Sequence, residues 1–363
     1  MSNHKIRPET KVYDFGDYDP VPGYRRKDIH GVLSISGMKS AKSREEYHPG
    51  LSDILAKFSD TSYFNSNTAN TLAATSGIKQ FSFIRDEDTG VEAVVAVYSD
   101  VIVISFRGTQ GFKDILTDLN AAPVPFDVAP QGAATQDIFE TQRDTFWRSE
   151  PLAGARTPVP HVHTGFYQSF KSIEPRIVRI LDNIEQEDRD RAEAKGKSEP
   201  PARQIFISGH SLGGGISITA AADLKEAGYD IAGVYTFGQP AAGDGQFANH
   251  YASLGLDKIT KRIVNQNDII ARVPPSWLPP FYSHVGEEIY FDGSGTRVRP
   301  SNTILESLSH AAKRFWDEGT NRQSGYFVGD QGADHPIARY REILERDVER
   351  DRSVKKNHVK KNR

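Results

Sequence analysis

The chain of 363 residues contains no cysteine, only two methionines and only three tryptophans. Without cysteine there is no disulfide, no thiol nucleophile and no thiolate metal site. No run of eighteen apolar residues occurs, so no helix long enough to span a bilayer is expected. Residues Met1 to Asp19 are polar and charged and lack an apolar h-region. An ordinary secretory signal is therefore not expected, and the cytoplasm is the default location, with export by a route that needs no cleaved signal as the alternative. Charge of one sign is also missing. The 45 Lys and Arg nearly balance the 48 Asp and Glu, for a net charge of -3. The chain as a whole thus has no electrostatic footprint for nucleic acid. The last dozen residues differ, because Arg352 to Arg363 carry six basic side chains and no acid. They are expected as the solvated, frayed end of a basic C-terminal tail at 346–363, with attraction to anionic lipid headgroups as the sharper reading. Metal-ligand clusters, phosphate-cradling glycine loops and internal repeats are absent as well, so neither a metal nor a cofactor is expected.

What the chain does have is Ile205-Phe206-Ile207-Ser208-Gly209-His210-Ser211-Leu212-Gly213-Gly214-Gly215. This reads as a short apolar strand, then Gly-x-Ser-x-Gly, then a helix start, the pattern of a nucleophile elbow. Gly209 and Gly213 would let neighbouring elements approach, since neither has a Cβ. Ser211 would sit at a helix N-terminus, where free N–H groups and the dipole favour negative charge. Leu212 N–H is one candidate donor to an oxyanion. After the elbow, Ile216, Ala220 and Leu224 keep helical spacing, with small residues between them for close packing on a sheet. The bland alternative is a glycine-rich turn carrying a structural serine.

A serine needs a histidine base and a carboxylate that orients it, in the chain order Ser, Asp or Glu, His for this kind of sheet. Asp268 follows the short strand around Arg262 to Val264, in the loop position where such sheets carry functional groups. An aspartate that merely caps its own turn fits that position equally well. Of the later histidines, His250 precedes Asp268 and breaks the order, and His310 sits in an apparent helix, 304–316. Spacing ranks His335 first, in a late loop before a helix, and His284 second.

Alternating strands and helices between residues 51 and 345 predict a mostly parallel sheet covered on both faces. Helices are expected over 52–74, 165–188 and 212–227, and a short one over 135–147. Strands are expected at 79–85, 91–98, 101–107, 204–208, 231–237 and 261–265, with a hairpin at 287–299. Residues 1–50 read as a polar extension, and 126–160 as a loop-rich insertion in one large domain. Phe112, Ile115, Leu116 and Leu119 have amphipathic helical spacing, and Val273, Trp277, Leu278, Pro279, Pro280 and Phe281 form an apolar stretch. Either could line an acyl-chain groove or simply pack onto the core.

Five further segments strengthen the pattern. They are Val103 to Thr109, Gly111 to Leu119, His163 to Phe166, Thr236 to Pro240 with Gly243-Asp244 and Phe247-Ala248, and Asn265 to Pro275. With the serine pentapeptide they resemble the class 3 lipases, the family of the filamentous fungal triacylglycerol lipases, from about Val94 to Tyr340. The resemblance implies an α/β-hydrolase fold with a lid helix. It implies Ser211 as nucleophile, Asp268 as acid and His335 as base. His284 matches a position outside the triad, and His210 a positional one. Thr109 would complete the oxyanion hole with Leu212, and Asp118 would orient that threonine or the lid. Phe112, Ile115, Trp277 and Leu278 become candidates for contact with substrate.

The implied reaction is hydrolysis of lipid esters at a lipid–water interface, as a triacylglycerol lipase or a phospholipase A1-like enzyme, with peripheral membrane contact. The alternatives are an esterase on soluble or aromatic esters, an exported bacterial lipase effector, and a non-catalytic binding relative. The chain departs from the family at Ala241, where many members carry arginine. It also has roughly thirty extra residues at 127–159, and its lack of cysteine excludes the fungal disulfides.

Overall fold

The computed structural model describes residues 44–64, 69–70, 78–108, 123–126, 159–198, 200, 203–266, 268, 270–274, 276, 279–298 and 335–361. Within them, an eight-stranded sheet runs in the order β1 (Gln80–Arg85), β2 (Glu92–Val97), β3 (Val101–Phe106), β6 (Gln204–His210), β7 (Ile231–Phe237), β9 (Thr260–Asn265), β11 (Glu287–Phe291) and β12 (Arg297–Val298). The pairs β3–β6, β6–β7, β7–β9 and β9–β11 are parallel. The edge pairs β1–β2, β2–β3 and β11–β12 are antiparallel. The sheet is thus mixed, with a parallel centre, as the strand–helix alternation predicts. A second, four-stranded sheet joins β4 (Pro123–Pro125), β5 (His161–His163), β8 (Gly243–Asp244) and β10 (Tyr282–Ser283).

Strand side chains alternate between the two faces, and the core divides accordingly. Ile102, Ile104, Phe106, Ile205 and Ile207 point to one layer, while Val101, Val103, Phe206, Tyr235 and Phe237 point to the other. The first layer is closed by α2 (Thr164–Glu193) and α3 (Leu212–Glu226). In α2 the buried residues Phe166, Phe170, Ile173, Ile177, Leu181 and Ile184 recur every three or four positions, so a single stripe faces the sheet. The helix outruns its expected end at 188 because the pairs Glu185–Arg189 and Glu187–Arg191 carry its polar end onward.

The opposite layer is closed by α1 (Pro49–Thr61) and by α6 (Ile337–Lys361), which lies after α4 (Gly245–Ser253) and the short α5 (Leu256–Ile259) in the chain. Two expectations change here. The helix foreseen over 52–74 ends at Thr61, where the Ser62 hydroxyl bonds back to the Ser59 carbonyl at 2.7 Å. The tail from 346 is helical as far as Lys361, so residues 352–361 are not frayed. Arg350 donates to the Gly295 carbonyl, Tyr47 donates to Asp347, and Lys355 pairs with Asp351 one turn below. The proposed short helix at 135–147, the helix at 304–316 with His310, and the lid-like segment 111–119 lie outside the described residues, as does nearly all of the 126–160 insertion.

A buried ion pair fastens α6 to α1. Arg341 donates to Asp60 at 2.6 Å, and both side chains are almost wholly shielded from water. Removing one partner of such a pair strands the other charge in low dielectric. Arg341→Met is expected to lower unfolding free energy by about 3–5 kcal/mol, whereas Arg339→Ala, on the exposed side of the same helix, should change it by under about 0.5 kcal/mol. Denaturant titration of both variants measures the difference.

Candidate active site

Strand β6 delivers Ser211 to the start of α3 through a backbone of φ 59° and ψ -129°. That conformation is costly for any residue with a Cβ, and it persists because the surroundings enforce it. The Ser211 N–H donates to the Phe237 carbonyl at 2.9 Å, while the Ser211 carbonyl accepts from Gly214 N–H at 2.9 Å. Close packing completes the turn. A Cβ on Gly209 would lie 2.2 Å from the Gly213 carbonyl oxygen, and one on Gly213 would lie 2.3 Å from that of Phe106. The three-element junction between β3, β6 and α3 therefore requires both glycines. Leu212 is the first residue of α3, so its N–H has no acceptor inside the helix.

The loop after β9 brings Asp268 to the same end of the sheet, and the approach to α6 brings His335. His335 Nε2 lies 2.8 Å from Ser211 Oγ. His335 Nδ1 lies 3.0 and 2.9 Å from the two carboxylate oxygens of Asp268. A carboxylate only accepts, so Nδ1 carries the proton and Nε2 is left to accept from the Ser211 hydroxyl. Ser211 and Asp268 have no solvent exposure and His335 is 7% exposed. Asp268 also accepts from the Ile270 N–H at 3.0 Å and from the Tyr340 hydroxyl at 2.5 Å. Burial, with Asp268 next, pushes the Tyr340 phenol well above its ordinary pKa, so it stays a donor. The acid loop is tied down from the other side, where Glu288 accepts from Arg262 at 2.8 Å and from Arg272 at 3.0 Å.

The competing histidines lie elsewhere. His284 lies within electrostatic reach of Arg262 and Arg272, and its pKa falls well below the ordinary value because of burial first and those cations second. His250 pairs with Glu226 at 2.9 Å. Ala241 is buried and donates its N–H to the Val273 carbonyl at 2.9 Å, so the backbone ties this position to the acid loop. Thr109, Phe112, Ile115, Asp118, Trp277 and Leu278 lie outside the described residues. Phe281, the last of the apolar stretch that follows Asp268, is 57% exposed.

Two contributors escaped the sequence reading. Tyr340 was visible only as an aromatic shortly after His335. Gly238 was part of a recognisable motif, but its role depends on contacts made through space. Gly238 has φ 59°, and a Cβ there would lie 2.5 Å from Asp268 Oδ2, 3.0 Å from Tyr340 Oη and 3.1 Å from His335 Nδ1. Gly238→Ala is expected to lower kcat at least about a hundredfold by displacing these groups, with about 1–2 kcal/mol of lost stability from the left-handed backbone. Kinetics and thermal melts on the one variant separate the two effects.

Residues 103–277 match the family described as lipase (class 3). Over that stretch, just under half of its length, the chain is similar to the class 3 lipases. It is 28% identical over 212 residues to the lipase of Rhizomucor miehei, covering 57% of this chain and 46% of that one. It is 27% identical over 208 residues to the secreted mono- and diacylglycerol lipase 1 of Fusarium solani, covering 56% and 49%. It thus spans about half the length of these relatives. Among solved structures, a fungal lipase–inhibitor complex aligns with TM-score 0.50 and 22% identity over 71% of this chain and 88% of that one, which supports the α/β-hydrolase fold. The expected cytoplasmic location does not stand. The Fusarium relative is a secreted enzyme, and the partial overlap with the relatives removes any weight from the polar residues at 1–19. Among the described residues, no helix is long and apolar enough to cross a membrane.

Proposed function

We propose that this chain is a serine ester hydrolase that cleaves lipid esters at a lipid–water interface. The observation that carries the reading is the continuous bond from Asp268 through His335 to Ser211, with Ser211 held in a strained elbow at a helix start. In this reading His335 Nε2 takes the hydroxyl proton as Ser211 Oγ attacks the ester carbonyl. The tetrahedral oxyanion is received by Leu212 N–H and by Thr109. Each such donor is worth about 2.7–4 kcal/mol of barrier. His335 then gives the proton to the departing alcohol. Water, deprotonated by the same nitrogen, releases the fatty acid and restores Ser211. Asp268 keeps the imidazole in the productive tautomer and stabilises its charged form.

Residues 51–345 are assigned to this catalytic unit, with 1–50 and the basic end of α6 as additions. The complete shielding of Ser211 supports a site that opens on contact with lipid, since no ester can reach a hydroxyl with zero exposure. Phe112 and Ile115 are assigned to the covering segment, and Trp277 and Leu278 to the acyl-chain contact.

Fatty-acid release from emulsified triacylglycerol and from phospholipid vesicles tests the reading, beside hydrolysis of a soluble p-nitrophenyl ester and mass spectrometry of the protein after an alkylphosphonate. Release from either lipid with a single adduct on Ser211 is expected, and the preferred lipid names the substrate. Turnover of the soluble ester alone, with the adduct formed, would replace the lipid assignment with a soluble-ester one. A folded protein with neither turnover nor adduct would end the hydrolase reading.

A further inference from the structure

A second hydrogen-bonded chain lies beside the first and has no part in the proton transfers described above. His210, inside the serine pentapeptide, is 4% exposed. Its Nε2 lies 2.6 Å from the backbone carbonyl of His335, and its Nδ1 lies 2.8 Å from the hydroxyl of Tyr63, just past the end of α1. Tyr63 Oη in turn packs directly against the Gly108 backbone. Every direction in this chain is fixed. A carbonyl only accepts, so His210 Nε2 carries a proton. Burial and the neighbouring His335, whose ring centroid is 4.7 Å away, hold His210 neutral, so Nδ1 is an acceptor. Tyr63 must therefore donate to Nδ1.

The two ends of the chain meet the chemistry. One end is the backbone of His335 itself. The other is Gly108, packed so tightly against the elbow that a Cβ there would lie 2.4 Å from Tyr63 Oη, 2.5 Å from the His210 carbonyl oxygen and 3.0 Å from Ser211 Cβ. Gly108 also immediately precedes Thr109. The Tyr63 ring is itself seated, with the Arg107 guanidinium 5.5 Å from its centroid and Arg107 paired to Glu92. Asp268 and Tyr340 set the rotation of the His335 ring. They do not set where the His335 backbone stands relative to the end of β3.

We propose that Tyr63 and His210 are positioning residues that hold the base and the end of β3 at a fixed separation across Ser211, through the Tyr63 hydroxyl packed on Gly108, the His210 ring and the His335 carbonyl. The inference rests on the acyl-transfer reading and adds to it a structural part supplied by α1, a helix distant in sequence. Its chemical requirement is specific: position 63 must offer a hydroxyl that donates to position 210, and position 210 must offer a donor and an acceptor on opposite sides of a flat group.

Tyr63→Phe, His210→Gln and His210→Phe test it, each measured for kcat and KM on a soluble p-nitrophenyl ester, for the rate of phosphonate labelling of Ser211, and by thermal melt. Tyr63→Phe keeps the ring under Arg107 and is expected to fold. Its kcat and labelling rate should fall about ten- to a hundredfold with KM within about twofold, the signature of misplaced reacting groups. The amide of glutamine can restore one donor and one acceptor, so His210→Gln should retain about tenfold more kcat than His210→Phe. Wild-type kcat in Tyr63→Phe, a rise in KM alone, or equal rates for a folded His210→Gln and His210→Phe would overturn the proposal while leaving the hydrolase reading intact. Absence of turnover and labelling in the unaltered protein would instead strike the hydrolase reading, and this inference with it.

Discussion

Ser211→Ala lowers kcat on any ester that the protein cleaves by on the order of 10⁶-fold and leaves the fold in place. No other group within the described site can form the acyl bond, and triad members act as a unit, so loss of the nucleophile costs nearly all that the triad provides. The fold should survive because alanine fits the volume and the main contacts of residue 211 are made by its backbone, to Phe237 and Gly214. The strain at φ 59° remains in alanine, which keeps a Cβ. Ser211→Gly would relieve it and should be more stable than Ser211→Ala by about 1–2 kcal/mol. Both variants should be equally inactive. Product release by stopped assay, with denaturant melts of the three proteins, checks rate and stability together. Substantial turnover in Ser211→Ala would mean that another group attacks the ester and would remove Ser211 from the mechanism.

Asp268→Asn should cost about 10⁴-fold in kcat, the second-largest effect, with little change in overall structure. The reason is the direction of a proton. Asp268 accepts from His335 Nδ1 with both oxygens and from Tyr340 and Ile270 besides. In the asparagine variant the amide oxygen would be claimed by Tyr340, leaving the NH₂ to face Nδ1. Nδ1 then becomes an acceptor, the proton moves to Nε2, and Nε2 can no longer receive the Ser211 hydroxyl proton. Tyr340→Phe removes only one of the donors and leaves the tautomer alone, so its loss should be closer to tenfold. A pH–rate series for the three proteins reads this directly. The asparagine variant should stay slow at every pH, because the fault is a tautomer and not a titration. Recovery of its rate at high pH would point to hydroxide replacing the base and would show the direct route through His335 to be dispensable.

The sequence carried the fold a long way, because the signals were local. Alternating apolar runs placed β1 to β3, β6, β7 and β9 within a few residues. The stripe in α2 gave a helix whose real end lies five residues further on, where exposed ion pairs rather than core contacts sustain it. Local signals failed where contacts made through space decide. α1 stops at Thr61, where the Ser62 hydroxyl turns back onto the Ser59 carbonyl. The basic stretch that reads as a frayed end is helical because α6 is anchored upstream by Tyr340, Ile343 and Leu344 and laterally by Gly295. Composition knows nothing of such anchors.

By itself the sequence determined that Ser211 stands at a strand-to-helix turn between glycines, that an aspartate loop and a late histidine follow in order, and that no thiol is present. These are one-dimensional facts about residue type and spacing. It left His335 and His284 as rivals, and Asp268 as either acid or turn cap, because spacing does not say which loops meet. Only the tertiary structure decided that His335 stands 2.8 Å from Ser211 Oγ while His284 is buried within the field of Arg262 and Arg272. Only the tertiary structure brought Gly238, Tyr340, Tyr63 and Gly108 to the same place. Hydrogen bonds and van der Waals exclusion act over about 3 Å, and residues 147 positions apart, such as Tyr63 and His210, come within that range only once the sheet has assembled and both of its faces are covered.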